Sequence, residues 1–145
     1  MNYLSRNVKL TTIQAAVAAG STDVETSEVD TSGYEGVLLL GMVTPASSQS
    51  TCKLSAQSAA STTATFVTIE GSSAEYAAGP TSRINILASD VYKPVDRYVR
   101  AYVTRGTSNT AIEGVAAILY GPKKAPVTST SSDTYLARTV SASSS

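Results

Sequence analysis

The sequence predicts an all-β protein: an antiparallel two-sheet sandwich, jelly-roll-like, with about eight strands. Three observations point there. Helical periodicity is scarce. Short β-branched runs are separated by clusters of Gly, Pro, Ser and Asp, which is the punctuation of strands and turns. About eight such runs fall within roughly 120 residues, and the jelly roll is the eight-strand version of the sandwich.

Taken in order, the strands are expected near Val8–Ala15, Thr22–Val29, Gly36–Val43, Cys52–Ser58, Thr65–Glu70, Ile84–Ala88, Tyr98–Thr104 and Ala111–Leu119. Between the first two, IQAAVAAGS (Ile13 to Ser21) is the one candidate helix. Its neighbours are Thr-rich and extended, so it is read as strand or irregular. The third strand follows Asp30, Thr31 and Ser32, whose side chains bond readily to nearby backbone, and Gly33, which can supply a positive φ. Val37 to Leu40 is apolar on both faces, the mark of a central strand. GSSAEYAAGP (Gly71 to Pro80) has neither lysine nor phosphate-loop spacing and is read as a loop. In RYVRAYVTR the alternation is regular: Val99, Ala101 and Val103 share one face, and Tyr98, Arg100, Tyr102 and Thr104 the other. AIEGVAAIL is apolar nearly throughout, so it too is expected to be covered on both sides. The turn RGTSN, with Gly106, is expected to join these last two strands as a hairpin.

Residues 1–12 are assigned to an extended N-terminal arm or first strand, 13–124 to the sandwich and 125–145 to an extended, Ser/Thr-rich C-terminal tail. The tail's sizeable apolar groups are Val127, Tyr135, Leu136 and Val140. One such side chain yields about 1.5–3 kcal/mol on burial, far less than the cost of ordering the segment at roughly 1–2 kcal/mol per residue. The tail is therefore expected to order on a neighbouring subunit, with Tyr135 and Leu136 as anchors and Arg138 facing an acidic partner.

Composition narrows the function. The 145 residues fit one domain, 42% hydrophobic and 15% charged, with eleven basic and eleven acidic side chains and a formal net charge of zero. Nucleic-acid affinity comes from neutralised phosphates, so a neutral chain is a poor candidate for that partner. There is no histidine, which removes the commonest general base and metal ligand. No enzyme activity, metal or cofactor is expected. Cys52 is single, so no intrachain disulfide forms. It is read as a small buried apolar residue on a strand, the alternatives being an intermolecular bridge or a reactive thiol. No apolar run approaches the ~18 residues of a membrane span, and MNYLSRNVKLTTIQ lacks a signal-peptide core. Synthesis and use in a cytoplasm are expected, with no membrane partner.

The stripe of Tyr98, Arg100 and Tyr102 is the strongest interface candidate, because Tyr and Arg are enriched at interface hot spots. The alternative places the Arg100 stem between two tyrosines with its head on a nearby acid. Lys123 and Lys124, between sandwich and tail, are either solvated or paired with an acidic partner. Glu25, Glu28 and Asp30 read as a solvated strand face. Glu35, Glu70, Glu75 and Asp96 are the carboxylates from which a glycosidase pair could be drawn, but no tryptophan platform accompanies them.

Three stretches together resemble a family. DTSGYEGVLLL feeds a turn into an apolar strand, VYKPVDRYVRAYVT places an aromatic and a short loop before an Arg-Tyr-Val-Arg strand, and AIEGVAAILYGPKKAPV closes an apolar strand on Gly-Pro and basic residues. This order, over roughly Asp30 to Val127, resembles jelly-roll cement, or decoration, proteins on the heads of tailed bacteriophages. The resemblance implies a structural protein of the virion that binds the outer capsid surface and bridges subunits of the major capsid protein. It implies a homo-oligomer there, dimer or trimer, made in the host bacterial cytoplasm, with no catalytic residues. Other readings are a head–tail connector or tail protein, and a carbohydrate-binding sandwich for host attachment.

Overall fold

A computed structural model of the chain describes residues 4, 7–45, 51–77, 84–105 and 110–123. Among them the elements are β1 (Val8–Gln14), β2 (Val17–Gly20), β3 (Val24–Glu25), β4 (Val29–Asp30), β5 (Tyr34–Pro45), β6 (Thr51–Ala59), β7 (Val67–Thr68), β8 (Ala74–Ala77), β9 (Asn85–Tyr92), β10 (Tyr98–Thr104) and β11 (Thr110–Pro122). Two antiparallel sheets pack face to face. The first runs β1-β11-β5-β9, with β2 also on β11; the second runs β3-β10-β6-β7, with β4 also on β10 and β8 also on β6.

The short strands combine in pairs. Each of β1/β2, β3/β4 and β7/β8 lies along one edge of a single longer neighbour. Eight strand positions remain. In chain order they occupy the sheets as first-eighth-third-sixth and second-seventh-fourth-fifth, which is the order of a jelly roll built from two Greek keys.

Alternation along the strands makes the core. Val37, Leu39 and Val43 of β5, Leu54 and Ala56 of β6, Val99, Ala101 and Val103 of β10, and Ile112, Val115, Ala117 and Leu119 of β11 are all buried between the sheets. Each large side chain there contributes about 1.5–3 kcal/mol. Cys52 belongs to the same core. Burial pushes its thiol up to about 11, with the Arg105 charge opposing, so at neutral pH it is a protonated apolar filler.

Several expectations are corrected. The last two strands are not a hairpin: β10 pairs with β6, β3 and β4, whereas β11 pairs with β1, β2 and β5 in the other sheet. The connection between them crosses from sheet to sheet, and residues 106–109 of its turn lie outside the described residues. Arg105 marks the crossing. It is buried, and its guanidinium donates to the carbonyls of Thr22 (2.7 Å), Ala18 (2.8 Å) and Thr110 (3.1 Å).

The strand expected over Thr22–Val29 is interrupted. Thr26 sits between β3 and β4, where its Oγ1 accepts from Ala101 N (2.9 Å) and its own N donates to Ala101 O (3.0 Å). Ser27 N donates to Ile13 O (3.0 Å) in the opposite sheet, so the chain leaves the ladder there. Gly71–Pro80 is not all loop, because Ala74–Ala77 forms β8 against β6. A turn closed by Ser72 N donating to Ile69 O (3.2 Å), with Gly71 at φ 80°, separates β8 from β7. The strand begun near Ile84 extends to Tyr92. Ser89 and Asp90 look like turn residues, but Ser89 is buried and donates to Ser72 O (2.7 Å), and Asp90 faces outward to accept from Tyr120. The stretch Val17–Gly20 within IQAAVAAGS is strand. Finally, β5 and β11 are covered on one side only among the described residues. Their outward Leu38, Leu40, Met42, Ala116 and Ile118 are half-buried, and no described element forms a third layer above them.

Candidate functional site

The β10 stripe lies on the outer face of the second sheet. Val99, Ala101 and Val103 are buried inward, which turns Tyr98, Arg100 and Tyr102 outward. The flanking strands supply partners by register. On one side Asp30 stands opposite Tyr98 and Glu25 opposite Tyr102; on the other Gln57 stands opposite Arg100.

The Arg100 head does reach a nearby acid, Glu25, and the aromatic ring it packs on is that of Phe66. The guanidinium lies over this ring, 4.2 Å from the centroid, a cation–π contact. The Arg100 Nε donates to Gln57 Oε1 at 2.8 Å, and Glu25 Oε1 lies 3.5 Å from Nη2. The Arg100 side chain is only 18% exposed, against 58% for Glu25. Tyr102 donates its hydroxyl to Asp23 Oδ2 at 2.8 Å; this bond is the main reason its phenol is shifted upward. Arg and Tyr side chains held in this way lose little rotamer freedom when a partner docks.

Beside the stripe, two connections and the end of β11 meet around an open cleft of about 480 Å³. The turn after β4 is built by Asp30, whose Oδ1 accepts from Ser32 N at 2.9 Å, and by Gly33 at φ 88°. The β9–β10 loop is held to it by Thr31, which donates both N (2.9 Å) and Oγ1 (2.6 Å) to Arg97 O. The end of β11 is tied in by Lys123 N donating to Gly33 O at 2.8 Å. Arg97 grips Asp30 with two bonds of 2.9 and 2.7 Å. That guanidinium holds the Asp30 carboxyl well below the usual range, and Asp30 in turn raises Arg97.

Lys93 and Lys123 line the cleft. Lys93 has φ 52°, a left-handed backbone, with its N donating to Glu35 O at 2.7 Å and its ammonium 5.3 Å from the Tyr92 ring centroid. Of the cleft carboxylates, Glu35 accepts from Tyr92 OH (3.1 Å) and Asp96 from Ser58 Oγ (3.0 Å). Glu70 and Glu75 belong to the segment around β7 and β8. Among the described residues no three His, Cys, Asp or Glu side chains gather as a metal site.

The structure therefore groups Tyr98, Arg100 and Tyr102 on one face and places Lys123 in the adjoining cleft, with Arg97 between them, 5.2 Å from the Tyr98 ring. Lys124, Tyr135, Leu136 and Arg138 lie outside the described residues. Phe66, Asp23 and the Asp30–Arg97 clamp were missed in the sequence. Their partners are 34 to 79 positions away in the chain, and no local pattern announces such pairs.

No protein-family profile matches the chain, and no curated protein matches it. Among solved structures it is similar to PBSX exported protein XepA, with a TM-score of 0.53 and 17% identity. The match covers 97% of this chain and 46% of that one, so the chain spans less than half the length of its structural neighbour. At this identity the likeness is one of fold: a β-sandwich shared by two very different sequences.

Proposed function

We propose that the chain is a structural protein of a tailed bacteriophage, a cement or decoration protein that binds the outer capsid surface and bridges major capsid protein subunits as a homo-oligomer. The observation that carries this is the outward face of β10, where a rigid jelly roll presents Tyr98 beside Arg100, held by Phe66, Gln57 and Glu25, and Tyr102, held by Asp23. Such a face suits recognition by complementarity. The buried, protonated Cys52 and the internally bonded cleft carboxylates fit a protein that works by contact. Zero net charge suits the outside of a shell, away from packaged DNA. The resemblance of Asp30 to Val127 to phage decoration proteins supports the phage setting, and the likeness to PBSX exported protein XepA adds agreement in fold. Many weak contacts repeated over a lattice reinforce one another, so no single contact need be strong.

The test is a reconstruction of purified particles with bound protein. Density for the sandwich between capsid subunits, with the β10 face at the contact, is expected. Tyr102→Ala should weaken particle binding by about 2 kcal/mol while the free protein keeps its thermal midpoint. Particles without the protein would refute the reading.

A second reading is favoured by the neighbour's description as an exported protein: a phage-encoded protein released from the cell. Fractionation of an infected or induced culture separates the two. The cement reading expects the chain on sedimented particles; release expects it in the particle-free supernatant.

A further inference from the structure

We propose that the outer face of the β1-β11-β5-β9 sheet is the interface with a second copy of this chain, packed sheet on sheet about a two-fold axis. This inference rests on the fold and stands apart from the phage reading.

The register places Leu38 of β5 beside Ile118 of β11, and Leu40 beside Ala116. On the other side Leu40 faces Ala88 of β9, and Met42 faces Ile86. These side chains all point away from the core, because Val37, Leu39 and Val43 between them are buried in it. An antiparallel sheet with one solvated face alternates apolar and polar residues; near-continuous apolar strands belong to sheets covered on both faces. Both β5 and β11 are of the second kind, yet the described residues cover one face. Ile86 is 63% exposed. A contiguous apolar patch of this sort marks an interaction surface.

Three observations select a second copy as the occupant. The apolar mate must itself be apolar and nearly flat. Among the described residues the outer face of the other sheet carries Glu25, Gln57, Arg100 and Tyr102 instead, so a copy can offer only the same face. A patch that mates with itself generates a two-fold, isologous pair. The area suffices: four strands at ~4.8 Å spacing and about eight residues at ~3.4 Å give roughly 500 Å² per copy. The pair thus reaches about the 1,000 Å² total that a specific interface needs. Charge does not oppose it, since the formal net charge is zero and two copies approach without net repulsion. The acids on this face already have partners at its margins: Asp90 on β9 accepts from Tyr120, and Glu113 at the β11 bulge accepts from Thr44 Oγ1 at 2.8 Å.

The test uses the full chain in solution, without phage or capsid. Light scattering coupled to size exclusion should give about twice the 14.9 kDa chain mass for the wild type at tens of micromolar. Ile86→Lys, at an exposed edge position, and Leu40→Asp, at the centre, should each give the single-chain mass. Near-UV circular dichroism should show that each variant is folded; Ile86→Lys carries the test if Leu40→Asp fails to fold. Thr104→Asp, on the polar face of the other sheet, should leave the doubled mass unchanged. A wild type that runs as a single chain overturns the proposal, whether the face is then covered by residues 124–145 or by another protein. So does a folded Ile86→Lys variant that keeps the doubled mass.

Discussion

Arg105 shows how much one side chain can hold. It is 4% exposed, sits among carbonyls with no carboxylate partner among the described residues, and ties β2, the β2–β3 turn and β11 to the end of β10. Removing it leaves three carbonyls short of a donor, each costing about 1–3 kcal/mol if it stays dry. Arg105→Ala should therefore destabilise the fold by at least about 3 kcal/mol, read as a lowered urea midpoint with the slope unchanged. Asp30 is a different case, being exposed. Its carboxyl is depressed first by the hydrogen bond from Arg97, so the folded state binds the ionised form more tightly than the unfolded state does. That contribution is fully present above the unfolded carboxyl's value near pH 4 and is lost as the pH falls toward and through the depressed folded value. The stability gap between wild type and Asp30→Asn should therefore shrink on acidification from about pH 6 to about pH 2. A gap that widens on acidification would contradict the clamp.

At the scale of elements, the β10 stripe depends on a neighbour that is not a strand. Phe66 sits in the β6–β7 connection and provides the surface on which the Arg100 guanidinium rests. Phe66→Ala should cost about 1 kcal/mol of stability and leave Arg100 with Gln57 and Glu25 alone. Arg100 side-chain order, measured by guanidinium NMR relaxation, should fall. Unchanged order would show that Gln57 and Glu25 hold the side chain without the ring. The paired short strands follow the same logic. β7 and β8 are one strand position broken by a turn, because Ser72 Oγ donates to Ile69 O (2.6 Å) and accepts from Ala56 N (3.0 Å). Side-chain hydroxyls that bond the backbone compete with the ladder, and a Ser/Thr-rich chain breaks its strands accordingly.

The whole molecule is dominated by distant pairings. Val8 near the start pairs with Tyr120, and β11 links the first sheet from edge to centre. Folding must close long loops before these contacts form, so refolding is expected in milliseconds to seconds, the range of sandwich topologies. Stopped-flow dilution from urea checks this; microsecond refolding would contradict it. The two sheets also divide the labour of the surface. One presents a polar, internally bonded face around Arg100, and the other an apolar face around Leu40.

The sequence alone determined the fold class and the faces of its regular strands. Alternation in RYVRAYVTR put Val99, Ala101 and Val103 inward, and the apolar runs placed β5 and β11 at the centre of a sheet, because side-chain period and burial are local properties. Gly33 was legible for the same reason: the turn needs a positive φ there. Only the tertiary structure decided which sheet each strand joins. Val95 to Pro122 reads as a hairpin because adjacency in sequence resembles pairing, but β10 pairs with β6 and β11 with β5 in opposite sheets, and Arg105 satisfies the carbonyls at the crossing. The same holds for the site. Tyr98, Arg100 and Tyr102 were visible as a stripe, whereas Phe66, Asp23 and Asp30 reach them from distant segments. A guanidinium is placed by whichever acceptor and ring surround it in space, and that arrangement exists only once the sheets have closed.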